Sequence, residues 1–366
     1  MHPEQIQRCK ELVVLAVAAL FSATTMTAQA DNLNDLPLYD QDAVAYDGDW
    51  LVHAPDQEAA VYRTGHSDEL VLANGLISRT FRLAPNAATV GFDNLTTGQA
   101  ILRGVKPEAM VEIDEVSYDV GGLKGQPNYA FLSPEWLDDL EADPAAFAFT
   151  GFEVGEPRER MAWKQVRHHS PDAVWPPKGV YLRMDYRMPE AVLASQKATA
   201  PPVTLSVHYE LYDGVPVMSK WITLRNDGGA PIMLNRFTSE ILAAVEYGAH
   251  VESGGRPFQT PNVHVETDYA FNGMDSRDSC RFSVHWVRDP DYATQVNYLR
   301  LSPCLLEVRP ELGPAQALAP GETFESFHAF VLPFDSYDRE RNALAQKRMY
   351  RSVAPWATEN PLMMHV

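Results

Sequence analysis

The sequence predicts a mainly β protein, and three observations carry that prediction. In 203–212 apolar Val203, Leu205, Val207, Tyr209 and Leu211 alternate with polar Thr204, Ser206, His208 and Glu210, the period-2 pattern of a strand with one buried face. Turn-forming pairs punctuate such runs at Asn74-Gly75, Asp213-Gly214 and Asn226-Asp227-Gly228-Gly229. Helical signals are confined to two short stretches.

In chain order, ELVLANGLISRTFRL (69–83) reads as two strands around Asn74-Gly75, a pair suited to a type I′ hairpin because both residues tolerate positive φ. SPEWLDDLEADPAAF (133–147) predicts a short helix with Ser133 as N-cap and Pro134 at the first position, ending near Pro144. Its carboxylates Asp138, Asp139, Glu141 and Asp143 read as a solvated face. The 203–234 stretch predicts a meander in which Asp213-Gly214 turns the chain and the return strand holds Val217 to Leu224. DSYDRERNALAQKRMYRS (335–352) predicts a helix capped by Asp335 or Ser336, with Tyr337, Leu344, Ala345 and Met349 on one face and Pro355 ending it.

At 366 residues the chain has room for one large β domain or two smaller ones. Its 49 acidic and 30 basic side chains leave a formal charge of −19, a field that repels phosphate backbones and anionic membranes and leaves neutral partners such as sugars compatible. Nucleic acid is therefore not an expected partner. Residues 1–30 have the form of a signal peptide: Arg8 and Lys10, the apolar run LVVLAVAALF, then Ala28-Gln29-Ala30 before the cleavage point. The mature protein is expected to be secreted or periplasmic, with no membrane attachment once the signal is removed. Export would leave Cys280 and Cys304, for which a disulfide and two buried thiols are both open. No metal site is expected, since two isolated cysteines without a nearby histidine lack the zinc-ligand pattern. No cofactor is expected either.

Four stretches carry a resemblance: NGLISRTFRL (74–83), VHYELYDGVPVMSKWITLRN (207–226), NRFTSEILAAVE (235–246) and ETFESFHAFVLPFDSYDRERNALAQKRMYRSVAPWATENP (322–361). Together they resemble the N-terminal region of α-galactosidase-like (clan D type) glycoside hydrolases. The YELYDGVP-type hairpin and the RxxYRxxAPW-type helix are its most specific parts. The resemblance spans nearly all of 31–366. It implies a β-supersandwich of the galactose-mutarotase kind over 31–333, a linker helix over 334–358, and at 359–366 the first strand of a (β/α)8 barrel that this sequence does not contain. In such enzymes both catalytic carboxylates come from the barrel, so the resemblance implies no catalytic residue in this chain.

Residues that could touch sugar nevertheless stand out. Trp163, His168, His169 and Trp175 lie in the polar, aromatic, Pro-rich MAWKQVRHHSPDAVWPPKGV, where ring faces suit sugar C–H groups and ring N–H groups suit hydroxyls. Ordinary loop packing is the alternative reading of that stretch. The other histidines His208, His264, His285 and His328 read as satisfied strand residues. The expected partners are carbohydrate and a barrel domain, and a homo-oligomer is compatible. Two rival functions stay open: a stand-alone carbohydrate-binding module, and an aldose epimerase needing a His acid and a carboxylate base in one cleft, with His208 and Glu210 as candidates. Trp221, inside VMSKWITL, is expected to be a packing residue.

Overall fold

The computed structural model describes residues 32–166, 173–188, 202–248, 260–269 and 281–359. The signal sequence, His168, His169, Cys280 and the terminal PLMMHV lie outside the described residues. Strands make up 41% of the structure and helix 11%, so the expected mainly β class holds.

All the paired strands run antiparallel. A five-stranded sheet is a meander of Ala60–Arg63, Glu69–Ala73, Ile77–Arg82, Ala88–Asn94 and Gln99–Ala100. The largest sheet orders Ala148–Gly155, Gly179–Arg187, Val203–Tyr212, Met218–Asn226, Ala329–Pro333 and Val263–Thr267, with Thr323–Glu325 also pairing on Met218–Asn226. Two four-stranded sheets complete the layers, one centred on Ile232–Thr238 and Ala109–Ile113, the other on Leu305–Val308 and Glu240–Ala244. One apolar cluster joins them: Phe81 and Phe92 from the five-stranded sheet meet Leu205, Val207 and Tyr209 from the largest, with Val111, Leu234 and Leu306 from the others. Burial of that continuous interior is the dominant favourable term in folding.

The predicted meander is present in register, with Leu211 opposite Met218 and Val203 opposite Asn226. Its second face is not open to water. Ser206, His208 and Glu210 are buried as well, because the segment after Gly155 returns across them: the Arg158 backbone N–H donates to Glu210 Oε1 at 3.0 Å and its guanidinium lies 5.4 Å from the Tyr181 ring centre.

Three local expectations change. At 74–77 only Gly75 has positive φ (83°), so the turn is not type I′. Asn74 instead accepts from the backbone N–H groups of Leu76 and Ile77 while its amide donates to the Tyr212 and Val215 carbonyls, joining this turn to the next hairpin. The 133–147 helix is a single 3₁₀ segment, Pro134–Asp139, without a side-chain cap from Ser133, because the chain after it pairs as Glu141–Ala142 with Leu123–Lys124. Asp138 is not simply solvated: it takes a 2.6 Å bond from Arg82.

The C-terminal helix is Arg339–Val353, capped by Asp338 through the Arg341 N–H at 2.8 Å. Asp335, expected as a cap, instead accepts from the Trp50 indole at 2.8 Å and from Arg341. The buried stripe is Ala345, Met349 and Val353, whereas Tyr337 and Leu344 are exposed. Polar contacts fasten the helix to Val263–Thr267, where Tyr350 donates to Glu266 at 2.6 Å and Gln346 meets His264 at 3.3 Å. Among the described residues no helix is long and apolar enough to cross a membrane.

Candidate functional site

Of the four residues singled out in 161–180, Trp163 and Trp175 are described. Both are half-buried. The Trp175 indole N–H donates to the Met161 carbonyl at 2.9 Å, and its ring meets Trp356 edge to face at 4.8 Å. Arg160 sits at the centre of this packing: its guanidinium lies 4.8 Å from the Phe330 ring centre and 5.5 Å from that of Trp175, and it bonds Asp268 and the Val353 carbonyl. The Trp163 backbone N–H donates to Glu159 at 3.2 Å. The segment therefore ties the largest sheet to the C-terminal helices.

Beneath it lies a ladder of flat rings. Trp221 is stacked on His208 at 4.9 Å with planes 7° apart, and His328 lies 4.2 Å from Trp221 on a tilted plane. Nδ1 of His208 shares a 2.7 Å hydrogen bond with Tyr181 and Nε2 a 2.9 Å bond with Thr223. Burial, then the charge of Arg183, pushes its pKa down to about 3, so the imidazole is neutral at ordinary pH. Glu210, beside it, accepts from Arg158 N–H on one oxygen and from the Tyr212 hydroxyl on the other at 2.8 Å. Both members of this pair are closed in and fully hydrogen-bonded.

A second polar group lies in the interior. Arg79 holds Glu240 through two bonds of 2.6 and 3.2 Å and reaches Glu108 at 3.3 Å. Lys220 donates to Glu240 at 2.7 Å and to the Glu108 carbonyl at 2.6 Å, and Tyr209 donates to the Glu108 carboxylate. Two cations balance two carboxylates at no more than 1% exposure. Burial alone would raise Glu240, yet the charges of Arg79 and Lys220 outweigh it and hold the group at about 2. At that exposure the group joins the sheets from within.

An open concavity among the described residues lies elsewhere. A pocket of about 350 Å³ lies where four segments meet: 94–101 after the fourth strand of the five-stranded sheet, 245–247 after Glu240–Ala244, 261–263 before Val263–Thr267, and 333–337 before the C-terminal helix. Its size falls in the lower part of the range for small-molecule sites, about 300–1,000 Å³. Two asparagines pin its walls. The Asn94 amide donates to the Phe334 carbonyl at 3.2 Å, and Asn262 donates to Ser336 at 3.0 Å and accepts Phe334 N–H on its carbonyl at 3.1 Å.

Tyr247 and Tyr337 form an aromatic corner, with centroids 5.3 Å apart and planes at 81°. Glu246 lies among them. One of its oxygens accepts from Tyr292 at 2.6 Å; the other is buried and has no hydrogen-bond partner among the described residues. Burial, then this bond, raises the Tyr292 hydroxyl well above the usual tyrosine value, which keeps it a donor. The Tyr292 ring rests 4.3 Å under the Arg103 guanidinium, itself bonded to Asp289 at 2.6 Å and 3.3 Å from the Cys304 sulfur. Cys304 is a buried free thiol. Among the described residues no group of three His, Cys, Asp or Glu side chains could hold a metal ion.

Sequence reasoning did not find this pocket, whose walls include Asn94 and Phe334, 240 positions apart. The available local signal was the aromatic and acidic run Val245-Glu246-Tyr247 directly after a strand.

No protein-family model matches the sequence, and no curated protein matches it. Among solved structures, it is similar to the α-galactosidase from Lactobacillus brevis, at 11% identity and a TM-score of 0.41, over 78% of this chain and 42% of that one. A GH36 α-galactosidase from Geobacillus stearothermophilus matches at 11% identity and a TM-score of 0.37, over 76% and 41%. A Klebsiella pneumoniae protein described as an aldose 1-epimerase matches at 8% identity and 0.37, over 80% and 87%. The chain thus spans about two fifths of the length of these α-galactosidases.

Proposed function

We propose that this chain is the N-terminal, non-catalytic β-supersandwich domain of a secreted or periplasmic α-galactosidase-like glycoside hydrolase, packing on a barrel domain and helping to bind saccharide through the segment that carries Trp163 and Trp175. One observation carries the reading. The four stretches that resemble such enzymes lie far apart in sequence and interlock in the fold. Arg79 of the first and Lys220 of the second both bond Glu240 of the third in the closed interior. The fourth pairs with the second, Glu325 opposite Thr223 and Val331 opposite Met218. Stretches that interlock in this way belong to one structural unit, which supports reading the resemblance as that of a single domain.

The reading assigns turnover to the barrel. The full chain is expected to bind α-galactosides without hydrolysing them, and the coding sequence after Val366 is expected to continue through roughly 250 residues of alternating strand and helix. Aryl α-galactoside hydrolysis that follows the protein through purification, or the lack of such a coding segment, would overturn it.

A further inference from the structure

We infer that the C-terminal helix Arg339–Val353 is an interface through which two copies of this chain pair antiparallel about a two-fold axis. One stripe of the helix, Ala345, Met349 and Val353, is buried against the fold. On the other side Glu340, Leu344, Lys347 and Arg351 are exposed, Leu344 at 53%. Their spacing of four, three and four positions places them within about 60° of one another around a helix of 3.6 residues per turn, the narrow seam by which two helices meet. Exposed Ala343 beside Leu344 leaves room for a close approach.

The order of residues along that stripe selects the partner. The helix holds five basic residues and Glu340 alone as an acid, in a chain of net charge −19. Arg341 turns to Asp49 and Asp335, whereas Glu340, Lys347 and Arg351 enter no ion pair among the described residues. Glu340 and Lys347 stand roughly 10 Å apart along the helix axis, too far to bond within one copy. They lie on opposite sides of Leu344 at nearly equal distance. A half-turn about an axis through Leu344 therefore sets Glu340 of each copy against Lys347 of the other, two symmetric pairs flanking one Leu344–Leu344 contact. Arg351 extends the cationic end by one turn. A parallel pairing would set like charge against like, and a polyanion or anionic membrane that suited Lys347 and Arg351 would face Glu340 and the net charge of the chain. One helix seam is a small interface, below about 1,200 Å², and exposed ion pairs are individually weak, so the product is a low-affinity, salt-sensitive dimer. Its formation does not depend on the hydrolase reading.

Sedimentation equilibrium of the full chain at about 10–300 μM and low salt reads the association constant. A dimer with a micromolar Kd is expected, weakened several-fold by salt at about 0.5 M. Glu340→Lys replaces two attractive contacts with two repulsive ones and should raise Kd about tenfold or more; Leu344→Glu, which sets two carboxylates together on the axis, should do at least as much. These side chains are exposed, so the variants are expected to melt as the parent does. The decisive variant combines Glu340→Lys with Lys347→Glu, which exchanges the two ends and restores the dimer only if the positions meet between copies. A chain that stays monomeric throughout that range, a dimer indifferent to both Glu340→Lys and Leu344→Glu, or a charge exchange that fails to rescue Glu340→Lys would each overturn the interface.

Discussion

The Trp175 ring stands edge to face on Trp356, 4.8 Å between centroids and 83° between planes, joining the segment over the largest sheet to the helix Pro355–Glu359. Aromatic pairs of this kind contribute about 0.5–1.5 kcal/mol beyond their burial. Trp175→Ala is therefore expected to lower the melting temperature, by roughly 1–2 °C for each kcal/mol lost, because a unit as large as Asp31–Val366 has a proportionally large unfolding entropy. Trp356→Ala should do the same, and the double variant should lose less than the sum, because the two share one contact. Calorimetric melts of the three variants check this. Full additivity, or an unchanged melt in Trp175→Ala, would detach Trp175 from the packing of the helix.

Trp221 is the matching case inside the sheet. It lies between His208 and His328 and is 8% exposed. Truncation to alanine removes both ring contacts and leaves a void, at a cost of about 3–5 kcal/mol. Urea denaturation should show that loss as a lower midpoint at unchanged slope.

Glu240 is expected to be the most sensitive single polar position. Glu240→Gln leaves Arg79 and Lys220 facing Glu108 alone, two buried cations against one carboxylate. Breaking a buried pair in this way costs about 3–5 kcal/mol. Equilibrium denaturation measures it, and a change below about 1 kcal/mol, the range of exposed pairs, would show that the network carries little of the fold. The sign with pH follows from the depressed pKa: the stabilisation is complete above the ordinary glutamate value of 4.5 and is lost as pH falls toward about 2.

The strands were legible because alternation reports the local pleat: Val203, Leu205, Val207, Tyr209 and Leu211 all reach the core as the pattern requires. What alternation cannot report is cover supplied from elsewhere. Ser206, His208 and Glu210 read as the open face, yet a segment some fifty residues earlier shields them, as the bond from Arg158 to Glu210 shows. Asn74 was legible as a turn residue and not as a bridge, because its second task, holding the Tyr212 and Val215 carbonyls, depends on a hairpin 138 positions away. Arg79, Glu108, Lys220 and Glu240 look like ordinary surface charges in a strand pattern, and only tertiary pairing buries them. The pocket was hidden for the same reason.

His208 gives the last prediction. Its imidazole is neutral in the fold down to about pH 3, whereas in the unfolded chain it takes a proton near 6.5. Between those values the unfolded state binds more protons, so stability falls as pH falls, by up to about 1.4 kcal/mol per unit for one fully shifted group. The charges that bear on it are Arg183 first, then His328 and Arg158, all opposing protonation. His285 shifts in the same direction, by burial first, so the slope is not His208's alone. The depressed carboxylates contribute only below their ordinary values of 3.8 and 4.5, which leaves pH 6.5 to about 5 as the histidine window. Within it, His208→Gln should melt with a visibly shallower dependence on pH than the parent, since glutamine retains polarity at the Tyr181 and Thr223 contacts and takes no proton. Equal slopes in the two proteins would mean that His208 can be protonated without opening the sheet, and that the segment carrying Arg158 does not seal it from water.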